Sequence, residues 1–173
     1  MRRIRIVVAY DGTNYCGWQI QPNGITIEEI LNRQISKLTG EDIRIIGASR
    51  TDSGVHALGN VAVFDTESRI PGDRFAYALN QKMPEDIVIV RSDEVQMDWH
   101  PRYQNEISKT YEYHIYNAKV RNPLKNRYST FVSFDLDVEK MRQGAKYILG
   151  EHDFASFCNV RTNAKDTLRT VHE

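Results

Sequence analysis

Cysteine is scarce in this chain. There are two in 173 residues, Cys16 and Cys158, far apart and with no CxxC spacing. That excludes a disulfide-built scaffold and a cysteine-based structural zinc site, and it fits a reducing, cytoplasmic compartment. No apolar run approaches the roughly 20 residues that a membrane-spanning helix needs. Met1-Arg2-Arg3 is basic, but a charged strand pattern follows it rather than the apolar core of a secretory leader. Repeats and low-complexity tracts are lacking. So is an excess of either charge: 23 basic and 23 acidic residues cancel to a formal net charge of zero. A zero sum leaves local patches open, and those matter more for a polyanionic partner.

What is present is an ordinary globular composition, 40% hydrophobic and 27% charged. The charges are uneven. Between Arg102 and Tyr128 stand Arg102, Lys109, Lys119, Arg121, Lys125 and Arg127, against two acidic residues. Between Glu85 and Asp98 five acidic residues face Arg91 alone. Each run by itself reads as a solvated face.

Periodicity predicts the elements. Ile4, Ile6 and Val8 alternate within Arg2 to Tyr10, a half-buried strand, and Asp11-Gly12-Thr13-Asn14 ends it. Thr26 and Glu29 form a capping box ahead of a helix carrying Ile27, Ile30, Leu31, Ile35 and Leu38, closed by Gly40. Ile43 to Ala48 and Asn60 to Asp65 read as strands. A helix runs from Pro71-Gly72-Asp73 to about Lys82, before Pro84. Ile87 to Val90 is a short strand. That order predicts an α+β fold: a ferredoxin-like βαββαβ antiparallel sheet with helices on one face. The first domain is placed at residues 1–102.

Residues 103–173 begin a second α+β unit. Ser108 to Tyr116 reads as a long strand with Tyr111, Tyr113 and Ile115 on one face. Tyr128 to Phe134 is another. A helix follows from about Val138 to Leu149, with Met141, Ala145, Ile148 and Leu149 apolar and Gly150 at its end. Leu168 to Val171 starts a further strand. The unit is expected to be incomplete.

Chemistry concentrates between the second and third strands, in Ser49-Arg50-Thr51-Asp52-Ser53-Gly54-Val55-His56. Loops held by rigid strands are where function gathers. A carboxylate beside an arginine is kept ionised, and an ionised carboxylate serves as nucleophile or general base. The competing reading is a turn, since Asp-Ser-Gly is good turn chemistry and Arg50 would then be a structural ion-pair partner. A metal-dependent hydrolase built on Asp11, Asp52 and His56 matches no ligand spacing.

The eleven residues from Gly47 to Ala57 resemble the signature of the TruA family of tRNA pseudouridine synthases. Further resemblances follow in the same order along the whole chain: Tyr10 to Gln19, Phe75 to Asn80, His100-Pro101-Arg102, Lys109 to Tyr113, and Gly150 to Phe157. The resemblance implies the pseudouridine synthase fold. It implies isomerisation of uridine to pseudouridine in the anticodon stem–loop of tRNA, at positions 38 to 40, by a homodimer without metal or cofactor. Asp52 matches the catalytic aspartate. It would attack the target at the sugar C1′ or the base, or abstract a sugar proton. Tyr111 matches the tyrosine that stacks on the target uracil, against the plainer reading of a cross-strand aromatic. Arg50 matches the arginine beside the aspartate, which engages phosphate or carboxylate. His56, Gln19, Arg102 and Lys109 are candidate RNA contacts. His56 also reads as a hydrogen-bonded loop histidine, and Trp18 as a packed core residue. The chain departs from the family at Glu28, Pro101 and His172. It stops at Glu173, where members continue into more of the second domain, including a basic partner for the aspartate. A different class of protein, a catalytically incompetent ferredoxin-like RNA-binding module, shares the strand order but leaves the Asp52 loop without a purpose.

Overall fold

In a computed structural model the described residues are 1–103, 108–158 and 166–173. They divide into two compact units, Met1–Thr110 and Tyr111–Glu173.

The first unit is built on a four-stranded antiparallel sheet. Its elements are β1 (Arg2–Tyr10), α1 (Ile27–Thr39), β2 (Ile46–Gly47), β3 (Ala57–Thr66), α2 (Phe75–Asn80) and β4 (Ile87–Val95). The strands lie in the order β2-β3-β1-β4, so β1 is central, paired antiparallel with β3 and β4. Alternation along β1 turns Ile4, Ile6, Val8 and Tyr10 to one face, where all four are buried. Ile27, Leu31 and Ile35 of α1 and Phe75 and Leu79 of α2 join them in one hydrophobic cluster, so both helices cover that face. An edge-to-face contact between Phe64 and Phe75, centroids 5.3 Å apart, ties α2 to β3.

The other face of the sheet carries charge. Arg3 pairs bidentately with Asp65 at 2.7 and 2.8 Å, and Arg5 with Asp93 at 3.0 and 2.6 Å. The Arg5 guanidinium also lies 5.3 Å from the centre of the Trp99 ring. The first pair joins β1 to β3 and the second joins β1 to β4, which runs to Val95, five residues past the apolar stretch that ended the expected strand at Val90. Polar residues continue a strand when the neighbouring strand supplies their counter-ions.

Other boundaries moved as well. The second strand was expected from Ile43 to Ala48, but β2 is Ile46–Gly47. Its first half is held by the helix instead: Ile43 N–H donates to Ser36 Oγ at 2.9 Å and Ile45 N–H to Asn32 Oδ1 at 2.9 Å. Side chains of α1 thus satisfy donors that a ladder would have used. The second helix begins as a 3-10 turn at Gly72–Arg74 and is α-helical for Phe75–Asn80, short of Lys82. Asn80 ends it by turning to the sheet, donating to Ile89 O at 2.9 Å and accepting from Ile89 N–H at 2.8 Å.

The second unit holds β5 (Ile115–Asn117), β6 (Thr130–Val132), α3 (Val138–Ala145), β7 (Gly150–Asp153) and β8 (Leu168–Val171). β5 and β6 pair parallel, and β7 and β8 antiparallel. The long strand expected from Ser108 is strand only from Ile115, and 108–114 adopt no regular element. Gly150, expected only as a helix terminator, also opens β7, which has no apolar alternation to announce it. Among the described residues none in this unit is buried. No helix there or in the first unit is long and apolar enough to cross a membrane.

Candidate active site

Asp52 lies on the loop between β2 and β3, and its side chain is exposed. The backbone around it is gripped from both sides by the loop that follows β1. Trp18 N–H donates to Thr51 O at 3.0 Å, and Gly54 N–H to Tyr15 O at 3.3 Å. Ser53 Oγ also donates to Tyr15 O, at 3.2 Å. Within the loop, Val55 N–H returns to Asp52 O at 3.2 Å, closing a turn over Asp52-Ser53-Gly54. The turn reading of this segment and its candidacy as a site are therefore compatible: the turn presents the carboxylate. Among the described residues that carboxylate makes no hydrogen bond or ion pair, and Arg50, also exposed, makes none with it. The ion pair that belonged to the competing turn reading is not formed.

Glycine makes the close approach of the two loops sterically allowed. A Cβ at Gly12 would stand 2.0 Å from Val55 O. A Cβ at Gly17, whose φ is +82°, would stand 2.5 Å from Thr51 O. The Y-D-G-T and G-W-Q segments are thus the seat of the Asp52 loop, which explains why the motifs occur together.

Trp18 is buried, 2% exposed, with its ring against Gly47 and against Tyr10, whose centroid is 5.9 Å away. It is core rather than a surface for RNA. Gln19, next to it, is exposed. His56 is tied to the first loop. Its Nδ1 lies 3.0 Å from Asp11 Oδ1 and 3.2 Å from Gly12 N. A single ring nitrogen serves one of these at a time, donating to the carboxylate when protonated and accepting from the amide when not. Among the described residues no group of three or more His, Cys, Asp and Glu could hold a metal ion.

Two of the expected cations meet at the foot of the loop. Arg102 Nε donates to Gly47 O at 2.7 Å, and Lys109 Nζ to Ala48 O at 3.5 Å. They lie 55 and 61 residues from those carbonyls in sequence, so only folding brings them to the segment that precedes Arg50. The result is a basic rim along the strand that leads into Asp52. Tyr111 belongs to the second unit and is 83% exposed.

Sequence reasoning missed Tyr10, Thr51 and Asn60. The Tyr10 hydroxyl and Thr51 Oγ1 lie 2.8 Å apart, and Asn60 Nδ2 donates to Ser49 O at 3.0 Å and to the Tyr10 hydroxyl at 3.5 Å. Burial pushes the Tyr10 phenol up, so it stays protonated. The signal available was weak: Tyr10 is in phase with Ile4, Ile6 and Val8 and reads as one more core residue.

The sequence pattern of a family described as tRNA pseudouridine synthase matches residues 6–104, which include the second half of β1, the glycine-seated loop, Asp52 and Arg102. This chain belongs to the tRNA pseudouridine synthase family. It is similar to a curated tRNA pseudouridine synthase A of Acetivibrio thermocellus, 50% identical over 171 residues, covering 99% of this chain and 70% of that protein. It is 45% identical over 173 residues to the tRNA pseudouridine synthase A of a Thermoanaerobacter species, with 100% and 70% covered. To tRNA pseudouridine synthase A 2 of Clostridium perfringens it is 47% identical over 171 residues. The chain thus matches about 70% of the length of these relatives. As a member of this family it is classed with isomerases, and the two gripped loops are among the segments that the family pattern spans.

Proposed function

We propose that this protein converts uridine to pseudouridine in the anticodon stem–loop of tRNA, with Asp52 as the catalytic carboxylate and no cofactor. The observation that carries the reading is an exposed carboxylate on a backbone held from both sides. Such a group is preorganised to meet a nucleotide without first breaking an internal ion pair. The reaction breaks the bond from ribose C1′ to uracil N1, turns the base, and joins C1′ to C5. The C5 proton is lost and N1 gains one. Composition and oxidation level are unchanged, so the step calls for no redox partner. Asp52 supplies the negative charge, as nucleophile at the nucleotide or as the base that takes a sugar proton. Arg50, Arg102 and Lys109 are read as phosphate contacts, with Gln19 and His56 nearby on the same loops. Tyr111 is read as the aromatic that stacks on the flipped uracil, on the strength of its Lys109-Thr110-Tyr111-Glu112-Tyr113 segment and its exposure. A homodimeric, cytoplasmic enzyme fits this reading.

The test is pseudouridine formation on a tRNA transcript with uridines in the anticodon stem–loop. Asp52→Asn is expected to lower turnover by at least about 10³-fold while tRNA binding is kept. Equal turnover in both proteins would remove Asp52 from the mechanism. Tight tRNA binding with no turnover by the parent chain would favour the binding-module reading.

A further inference from the structure

The Tyr10 hydroxyl is an expense that the core does not require. A phenylalanine would fill the same volume against Trp18 without burying a polar group, which is costly unless it is hydrogen-bonded. Tyr10 is 5% exposed, and its hydroxyl is spent on the Asp52 loop. It reaches Thr51, the residue immediately before Asp52, at 2.8 Å. Asn60, 8% exposed, bridges the same hydroxyl to Ser49 O. Thr51 is held at a second point, its carbonyl accepting from Trp18 N–H.

The backbone is arranged around this contact. Pairing between β1 and β3 shifts register between Val8 and Tyr10, and Tyr10 then stands opposite Ala57, the first residue of β3. The extra residue lies on β3, with three steps from Asn60 to Ala57 against two from Val8 to Tyr10. A bulge bends the strand that carries it, so the start of β3 and the loop entering it are displaced, while Tyr10 keeps its place in the alternation of β1.

We propose that Tyr10, with Thr51 and Asn60, is a positioning group for Asp52. It fixes the chain on the N-terminal side of the carboxylate as Tyr15 O fixes it on the C-terminal side. This rests on the reading of Asp52 as the catalytic carboxylate. None of the three needs to touch the RNA. Their effect is on where the carboxylate stands, and displacement of a reacting group by about 1 Å can cost on the order of 10²-fold in rate.

The variants are Tyr10→Phe, Thr51→Val, their combination, and Thr51→Ser, which keeps the hydroxyl. Tyr10→Phe and Thr51→Val are each expected to lower kcat on the tRNA transcript by about tenfold to a hundredfold, with KM unchanged. The double variant is expected to lose no more than either single one, because both remove one hydrogen bond. Thr51→Ser is expected to recover most of the rate. Amide hydrogen exchange gives a readout that needs no turnover. In Tyr10→Phe, exchange at Gly54 and Val55 is expected to rise about tenfold, while Ile4, Ile6 and Val8 keep their protection. A uniform rise across β1 would mean that the hydroxyl serves general stability, and would overturn the proposal. Parental kcat in Tyr10→Phe, with Asp52→Asn inactive, would overturn it and leave the role of Asp52 standing. Full activity in Asp52→Asn would sink both.

Discussion

The two units of this chain use the same vocabulary and reach different ends. In the first, α1 runs through a Thr26 cap and lays Ile27, Ile30, Leu31 and Ile35 on the sheet, all buried. In the second, α3 runs through an Asp137 cap, and its apolar residues remain open: Val138 and Met141 are 50% and 47% exposed. Both helices are amphipathic, and of the two only α1 has buried residues. Periodicity states which face of a helix prefers to be covered. It does not supply the cover. Helices of this length owe most of their stability to that cover rather than to propensity, so the first unit is where packing energy resides.

The largest expected contrast is in truncating apolar side chains. Ile6→Ala, on the buried face of β1, is expected to destabilise by about 2–5 kcal/mol, whereas Met141→Ala on α3 is expected to stay within about 0.5 kcal/mol. Denaturant unfolding of both variants measures this. An equal cost at Met141 would show that α3 is packed in solution, and the comparison would fail.

Glycine substitutions should separate the units by sign. Gly17→Ala puts a Cβ 2.5 Å from Thr51 O at a φ of +82°, and is expected to cost roughly 1–3 kcal/mol and to lower turnover. Gly144→Ala lies within α3 with nothing inside 4 Å of the new Cβ. It is expected to stabilise that helix by up to about 1 kcal/mol. Thermal unfolding of the first and the helical circular dichroism of the second decide the matter. Destabilisation by Gly144→Ala would mean that α3 meets a close neighbour.

The smallest effect concerns the two caps. Thr26 Oγ1 accepts from Glu29 N–H and cannot titrate in this range, whereas the Asp137 carboxylate accepts from Lys140 N–H at 3.0 Å. That bond, with the Lys140 ammonium, holds the Asp137 carboxyl below the usual carboxylate range. A depressed folded value means that the cap contributes fully above the unfolded carboxylate value and is lost as pH falls through the folded one. On acidification the amides of the first turn of α3 are expected to lose protection in a step that those of α1 do not share. Exchange or amide chemical shifts against pH would show it. Simultaneous loss in both helices would point to a shared transition instead.

The motif residues stood out in the sequence through their resemblance to a family signature, since turn chemistry alone left Asp52 open between a site and a turn. Asp52, Arg50 and the paired Gly-containing segments could be named from the chain alone, and the two families of residues proved to be the two halves of one clasp. Arg102 and Lys109 were legible only as members of a basic stretch. Their meeting with Gly47 and Ala48 spans more than fifty residues, and no local pattern encodes that. The late start of β2 and the long run of β4 were hidden for a related reason. Each depended on who supplied the partners, Ser36 and Asn32 in one case, Arg3 and Arg5 in the other.

By itself the sequence determined the order of elements in the first unit, the face of β1 that would be buried, and the loop that would carry the candidate carboxylate. Periodicity, capping and turn residues are local, and they survive being read along a line. Only the tertiary structure decided that the Tyr10 hydroxyl reaches Thr51, that Gly12 and Gly17 are the seat of the Asp52 loop, and that the apolar residues of α3 stay about half exposed among the described residues. Those facts depend on which distant groups share a few ångströms, and hydrogen bonds and close contacts have no reach beyond that distance.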